Sequence, residues 1–144
     1  MQGFPHIYQV TAHSDTDKPV VLSAAGLPDL VTNPPPEFGG PEGYWSPETL
    51  LAASVADCFI LTFRAISRAS KLDWTSIECD VEGTLDRVDG VTRFTRFDIR
   101  ARLQVPEGVD TDKADKILHK SESVCLITAS LATENHLETV INVG

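Results

Sequence analysis

Two of the three cysteines in this sequence lie where thiols can do chemistry. Cys58 falls inside an apolar run, residues 50–63, and Cys125 stands at the start of a second one, Val124-Cys125-Leu126-Ile127. Both runs predict helices with buried flanks. Thiols in such surroundings are either inert packing groups or a redox pair, because a thiolate is a nucleophile and two neighbouring thiols can form a disulfide.

The predicted positions of the two cysteines in their helices differ. Ser121 or Ser123 can cap a helical segment that holds Cys125, which would place this thiol in a first helical turn. Backbone N–H groups and the positive end of the helix dipole lower a thiol pKa there, so we expect a lowered pKa for Cys125. Cys58 lies in mid-helix and needs a cationic or hydrogen-bonding neighbour for the same effect.

The third cysteine and the histidines give no such signal. Cys79 stands between Ile77 and Val81 on the inward face of an alternating strand, which predicts a packing residue. The four histidines show no metal-ligand spacing and the sequence has no Cys-x-x-Cys motif. We therefore expect neither a zinc site nor a bound cofactor.

The helix that carries Cys58 has a clear start. Ser46 can cap it and Pro47 suits its first position, and nothing breaks the helical pattern from residue 48 to about residue 70. Its apolar residues cover nearly every face, so it needs burial on all sides, which a single chain of 144 residues struggles to provide. We expect a partner subunit to cover part of it.

A two-stranded hairpin is predicted after this helix. Residues 74–85 and 91–105 alternate between apolar and polar, with a turn at Asp89-Gly90. The inward positions are Ile77, Cys79, Val81, Leu85, Phe97, Ile99, Ala101, Leu103 and Val105. The outward positions set acidic residues of the first strand opposite arginines of the second, which indicates an ion-paired sheet surface and not a nucleic-acid site.

The remaining patterns complete an α+β domain that spans residues 1–144. Strands are predicted at residues 7–11, 18–22 and 138–143, and an amphipathic helix at residues 112–120. The proline-rich segment 33–41 predicts a stiff loop ahead of the long helix, neither helix nor central strand. One hydrophobic core suffices for a chain of this length.

Composition excludes several classes of partner. The net charge of −9 disfavours electrostatic binding to nucleic acid or to anionic lipid. The first residues lack the basic and apolar regions of a signal peptide, and the apolar run 50–63 is too short to span a membrane. Three cysteines without a secretion signal do not form a disulfide framework, so we expect a reducing, cytoplasmic setting.

The sequence resembles the OsmC/Ohr family, named for osmotic inducibility and organic hydroperoxide resistance. The resemblance lies in Pro36-Glu37-Phe38-Gly39-Gly40-Pro41, in Ser46-Pro47-Glu48-Thr49-Leu50-Leu51-Ala52-Ala53-Ser54-Val55-Ala56-Asp57-Cys58-Phe59, and in Cys125. It implies an α+β fold with antiparallel sheets around a long buried central helix, in an intertwined homodimer.

The resemblance also implies a thiol peroxidase. Cys58 matches the peroxidatic cysteine, whose thiolate attacks an organic hydroperoxide and becomes a sulfenic acid. Cys125 matches the resolving cysteine, which condenses with the sulfenic acid to a disulfide that a dithiol reductant opens again. An apolar surround such as Phe38, Phe59 and Leu126 would favour organic hydroperoxides over hydrogen peroxide.

Glu48 matches a glutamate that helps to organise the site in this family. Ten residues of one helix span about 15 Å, so Glu48 cannot contact the Cys58 of its own helix and would act on another subunit's site. Alternatively, Glu48 only complements the helix N-terminus. The family's hydroperoxide reductases also use an arginine from an N-terminal loop, whereas this chain has no arginine before Arg64 and only Lys18 as a basic residue there, histidines aside.

Two other functions fit the same residues. The chain could be a non-enzymatic module that binds a small apolar ligand between the proline-rich loop and the apolar helix, which predicts slow thiol labelling and no disulfide after peroxide. It could also be a redox sensor, oxidised once and read by a partner, which predicts disulfide formation with poor turnover.

Overall fold

The computed structural model describes residues Met1–Gly144 and has an α+β fold with two three-stranded sheets and one long helix. The strands are β1 (Thr11–His13), β2 (Val20–Ser23), β3 (Leu30–Thr32), β4 (Ser76–Val88), β5 (Val91–Val105) and β6 (Glu134–Val143). The helices are α1 (Pro47–Ser70), α2 (Thr111–Ser123) and α3 (Leu126–Ala129). The chain consists of two compact units, Met1–Leu50 and Leu51–Gly144. The expectation of a single domain stays a prediction.

The first unit contains the sheet β1-β2-β3, in which both strand pairs are antiparallel. The prediction of a strand at residues 7–11 is wrong, because the strand begins at Thr11 and pairs with Ser23. The hydroxyl of Ser14 donates to the carbonyls of Asp15 and Lys18 and closes the turn between β1 and β2. The paired strand β1 therefore lies directly before this turn. The proline-rich segment is a loop as predicted, apart from a single 3₁₀ turn at Pro36–Phe38.

The start of α1 is confirmed. The Ser46 hydroxyl accepts from the Thr49 N–H at 3.1 Å, and the Thr49 hydroxyl oxygen accepts from the Ser46 N–H at 2.9 Å. These reciprocal bonds satisfy donors that the helix end leaves free. Pro47 occupies the first helical position, where a missing N–H costs nothing.

The long helix is less buried than its composition predicts. Only Val55, Phe59, Phe63 and Ser67 are buried, whereas most other positions of the helix are half-buried or exposed. α1 has 24 residues, and its most apolar 18-residue window has a mean hydropathy of 1.6, so the helix is long and apolar enough to cross a membrane, as many core helices also are. Its buried stripe packs in a core, and several of its other apolar residues, such as Leu51 and Ile60, are only partly covered.

The second unit contains the sheet β4-β5-β6, whose central strand is β5. The predicted hairpin is confirmed, since β4 and β5 pair antiparallel and meet at Asp89-Gly90. The last strand is longer than predicted and runs parallel to β5. Leu85 was expected to face inward, but a bulge between Thr84 and Leu85 shifts the register, so Leu85 lies partly exposed.

The core of the second unit lies between this sheet and the helices. All five predicted inward residues of β5 are buried, and they pack with Val55, Phe59 and Phe63 of α1 and with Leu118 of α2. On the outer face, Arg102 contacts Glu78 at 3.0 Å and Asp80 at 2.6 Å, which confirms the cross-strand ion pairs. The sheet therefore supports α1 from one side and leaves the helix face that carries Cys58 free.

Candidate functional site

Cys58 lies on the open face of α1, at the wall of a cavity of about 480 Å³. The side chain is half-buried. The cavity is lined by two successive rows of α1 and by the start of α3, namely Ser54, Asp57, Cys58, Leu61, Thr62, Ala65, Ile66, Leu126 and Ile127. Apart from Asp57 and two hydroxyls the neighbours of the thiol are apolar, and Leu61 and Leu126 form an exposed rim.

The sulfur of Cys58 has four hydrogen-bonding neighbours, all of which can donate to it once it is a thiolate. These are the thiol of Cys125, the backbone N–H groups of Ile127 and Leu126, and the hydroxyl of Thr62, which lies 3.8 Å away. Burial opposes ionisation of this thiol, but the hydrogen bonds outweigh it and hold the pKa of Cys58 below its ordinary value. Of the two kinds of neighbour expected, a cation or a hydrogen-bonding group, the structure provides hydrogen-bonding groups.

Cys125 has the opposite environment, and the expectation of a lowered pKa for it is wrong. The residue is 2% exposed, and burial raises its pKa, as does the hydrogen bond that its thiol donates to Cys58. Hydrogen bonds from Thr128 and Ile127 offset only part of this. Cys125 therefore keeps its proton under conditions where Cys58 ionises.

The local fold explains why the pKa is lowered at Cys58 and raised at Cys125. Cys125 is not in the first turn of a helix but caps α3, with φ −62° and ψ 118°, and neither Ser121 nor Ser123 caps that helix. Its carbonyl accepts from the Ala129 N–H at 3.0 Å. The first N–H groups of a helix have no partner within it. Here those of α3 meet the sulfur of Cys58, which lies on another helix.

The other residues singled out by the sequence lie elsewhere. Glu48 is in the first turn of α1, within the unit Met1–Leu50, and its Oε2 is buried without a hydrogen-bond partner. Lys18 is exposed and Phe38 is 60% exposed in that same unit. Phe59 packs in the core and does not line the cavity, whereas Leu126 does.

Cys79 is a packing residue, as predicted. It packs against the core from β4, and burial, followed by the charge of Asp80, raises its pKa to about 11. This thiol stays protonated near neutral pH. The second unit therefore contains one thiol that is readily ionised, one protonated thiol in contact with it, and one inert thiol.

Sequence reasoning missed Thr62 and the backbone of residues 126 and 127 as parts of the site. A signal for Thr62 exists, because residues four apart on a helix lie on one face and Thr62 follows Cys58 by four. No sequence signal marks the two backbone groups, since every residue except proline has an N–H. Only the tertiary contact between α1 and α3 selects them.

A larger polar cavity of about 650 Å³ lies on the outer face of the sheet β4-β5-β6 and contains no nucleophile. Its charged side chains pair with each other, for example Arg96 with Asp98 at 2.6 Å and Arg100 with Glu138 at 3.7 Å. This surface is a solvated ion-paired face, and the chemistry of the second unit centres on Cys58.

The paired thiols suit thiol–disulfide and peroxide chemistry. A thiolate in a partly enclosed apolar cavity can attack a weak O–O or S–S bond, and a protonated thiol in contact with it can resolve the product as a disulfide. No cluster of His, Cys, Asp or Glu side chains has the arrangement of a metal site.

Comparison with known proteins places this arrangement in a family. The OsmC-like protein family matches residues 39–140, a segment that includes both paired cysteines. The peroxiredoxin OsmC of Escherichia coli is 29% identical over 101 residues, which cover 70% of this chain and 69% of that protein.

Solved structures share the fold. An OsmC-like protein of unknown function from Vibrio cholerae has a TM-score of 0.85 at 18% identity, over 94% of this chain and 100% of that one. An organic hydroperoxide resistance protein OsmC from Legionella pneumophila has a TM-score of 0.76 at 20% identity, over 97% of this chain and 99% of that one. On the family match and this shared fold, the chain belongs to the OsmC-like protein family.

Proposed function

We propose that this protein is a cysteine-based peroxidase that reduces organic hydroperoxides. The names of its relatives support this, since one is a peroxiredoxin and another an organic hydroperoxide resistance protein. The main structural support is the contact between Cys58 and Cys125, in which one thiol has a lowered pKa and the other a raised pKa. A peroxidase needs this division, because attack on peroxide requires a thiolate and resolution requires a second thiol nearby.

In the first step the Cys58 thiolate attacks the terminal oxygen of the hydroperoxide ROOH. An S–O bond forms as the O–O bond breaks, and the sulfur is oxidised while the peroxide is reduced. The departing alkoxide takes a proton from water and leaves as the alcohol. Cys58 is then a sulfenic acid, Cys–SOH.

In the second step Cys125 resolves this intermediate. Its sulfur bonds to the sulfur of Cys58, and the thiol proton leaves with the sulfenic hydroxyl as water. An external dithiol then attacks the disulfide, returns both cysteines to thiols and is itself oxidised to a disulfide. A reducing compartment such as the cytoplasm supplies dithiols of this kind.

The cavity supports organic hydroperoxides as substrates. Its rim and wall are provided mainly by apolar side chains, among them Leu61, Ile66 and Leu126. An alkyl or aryl group gains free energy on entering such a surface, at about 25 cal/mol per Å² of apolar area removed from water, whereas hydrogen peroxide has no apolar group to bury.

We also propose that two copies form a homodimer that covers the rest of α1. Only 17% of the most apolar 18-residue window of this helix is buried within one chain. A second copy supplies apolar cover, and it can offer a partner for the buried, unpaired Oε2 of Glu48. In this arrangement Glu48 serves the site of the partner subunit.

The decisive measurement is the consumption of cumene hydroperoxide by the purified protein with dithiothreitol as reductant. We expect turnover by the wild type and background rates for Cys58→Ser. Cys79→Ser is the matched control, because it removes a buried, protonated thiol outside the cavity and should keep the wild-type rate. Equal rates for wild type and Cys58→Ser would refute the proposal.

Cys125→Ser separates the peroxidase from the two alternatives. We expect this variant to reduce one equivalent of hydroperoxide and to accumulate a Cys58 sulfenic acid, which dimedone traps for mass spectrometry. A binding module would form neither the trapped adduct nor, in the wild type, a disulfide. A redox sensor would form the disulfide but would not turn over with the dithiol present.

A further inference from the structure

Several hydroxyl side chains in the helices of the second unit donate to the backbone of their own helix, whereas Thr62 does not. Serine and threonine in helices usually donate to a backbone carbonyl three or four residues earlier. Ser54 donates to Leu51 at 2.8 Å and Ser121 donates to Ile117 at 2.7 Å. Thr62 instead has the sulfur of Cys58 as its hydrogen-bond partner, at 3.8 Å.

The position of Thr62 suits a donor to a thiolate. Residues four apart lie one above the other on a helix, so the Thr62 hydroxyl stands over Cys58 on the cavity side of α1. A thiolate has no proton and can only accept, so the hydroxyl is the donor once Cys58 ionises. Thr62 is half-buried, which limits competition from water for this bond.

We propose that Thr62 is a catalytic residue whose hydroxyl stabilises the Cys58 thiolate by direct hydrogen bonding. This inference rests on the proposed peroxidase function for its role in turnover. The hydroxyl complements the Ile127 and Leu126 N–H groups, which belong to α3. The thiolate is thus held by neutral donors from two helices, in a chain whose first arginine is Arg64.

The test compares Thr62→Val, which removes the hydroxyl at nearly constant volume, with Thr62→Ser, which keeps it. The rate of iodoacetamide labelling at Cys58 is measured against pH by mass spectrometry. Trypsin separates the three cysteines, because Arg64 lies between Cys58 and Cys79 and Lys120 lies before Cys125. Thr95→Val is the control for the chemical change, since the Thr95 hydroxyl donates to Thr84 within the sheet.

We expect Thr62→Val to raise the labelling midpoint of Cys58 and to slow labelling below it by roughly threefold to tenfold, the range for losing one typical hydrogen bond. Hydroperoxide turnover at neutral pH should fall by a similar factor. Thr62→Ser and Thr95→Val should keep the wild-type midpoint.

An unchanged midpoint in Thr62→Val, with the fold intact by circular dichroism, would overturn the proposal for Thr62. The same holds if Thr62→Ser shifts the midpoint as much as Thr62→Val, because the hydroxyl would then not be the active group. Both results are independent of peroxidase turnover. Failure of the inference is therefore distinguishable from failure of the proposed function, which the Cys58→Ser assay decides.

Discussion

The thiol of Cys125 donates a hydrogen bond to the sulfur of Cys58, and this contact moves the two pKa values in opposite directions. The donor keeps its proton because losing it would put two negative sulfurs in contact. The acceptor ionises more readily because the donor, together with the neighbouring N–H groups, stabilises its charge. In the proposed peroxidase, this contact makes Cys58 the nucleophile and Cys125 the resolving thiol.

The segment that contains Cys125 also stabilises the thiolate of Cys58. Cys125 caps α3, and the N–H groups of Leu126 and Ile127 at the start of that helix reach Cys58. When the disulfide forms, the negative charge that these N–H groups stabilise disappears. The reduced state therefore has electrostatic interactions with α3 that the oxidised state lacks, and reduction restores them.

The first prediction concerns pH. Because the pKa of Cys58 lies below its ordinary value and that of Cys79 is about 11, alkylation should reach Cys58 first as pH rises. The Cys58 rate should level off at a lower pH than that of a free thiol, since the thiolate is the reactive form. Cys79 should remain unlabelled in the native protein over the same range. Peptide mapping after brief iodoacetamide treatment at a series of pH values measures both, and equal rates at the two cysteines would contradict the prediction.

The second prediction tests the N–H of Leu126 by removing it. Leu126→Pro places proline at the first position of α3, which tolerates it, and Cys125 already has the extended backbone that precedes proline. The variant should fold, lose one hydrogen bond to the Cys58 sulfur and raise the labelling midpoint of Cys58.

Leu126→Ala is the matched control, because it removes most of the same exposed side chain and keeps the N–H. We expect its labelling midpoint to equal that of the wild type, even if its affinity for bulky hydroperoxides falls. A midpoint that shifts equally in both variants would mean that the side chain, and not the backbone donor, sets the pKa of Cys58.

The sequence predicts the sheet of the second unit better than the site. Alternation places Phe97, Ile99 and Leu103 in the core, because the two-residue period of a strand fixes which face is buried. The same rule fails at Leu85, where a bulge changes the period. The cap at Ser46 is predictable for a similar local reason, since its bonds join residues three apart.

The chemistry of the thiols depends on a contact that is distant in sequence. Cys58 and Cys125 are 67 residues apart, and local pattern assigns the favourable helix end to the wrong cysteine. The N–H groups of α3 lower the pKa of the sulfur that they meet in space, which belongs to another helix. Family resemblance pairs the two residues, but only the geometry shows which donors replace a cation.

The third prediction concerns substrate size. Ala65 lines the cavity beside Cys58, so Ala65→Phe should occupy part of the space that a bulky hydroperoxide needs. We expect KM for cumene hydroperoxide to rise roughly tenfold or more, as for other changes in an apolar pocket, with little effect on hydrogen peroxide. Ala69→Phe adds the same ring to an exposed position of α1 outside the cavity lining and should leave both substrates unaffected. A uniform loss with both peroxides would argue against substrate binding in this cavity.

The fourth prediction concerns Glu48 and the proposed homodimer. If Glu48 of one copy serves Cys58 of the other, Glu48→Gln and Cys58→Ser each damage both sites of their own homodimer. A mixed dimer of the two variants has one site with an intact Cys58 and an intact partner Glu48. Co-expression with two affinity tags and sequential purification isolates this mixed dimer, whose cumene hydroperoxide activity should be about half that of the wild type.

The alternative role for Glu48 predicts a different activity of the mixed dimer. If the carboxylate only complements the N-terminus of its own α1, the one intact Cys58 in the mixed dimer still lies on a chain with Glu48→Gln. Activity would then be about half that of the Glu48→Gln homodimer, with no recovery above that parent. Sedimentation of the wild type gives the first check, because a monomer would leave the uncovered face of α1 and the unpaired Oε2 of Glu48 without the partner we propose. Recovery of activity in the mixed dimer would show that Glu48 of one chain supports Cys58 of the other, since only a carboxylate that crosses the interface can restore turnover to a thiol on the other chain.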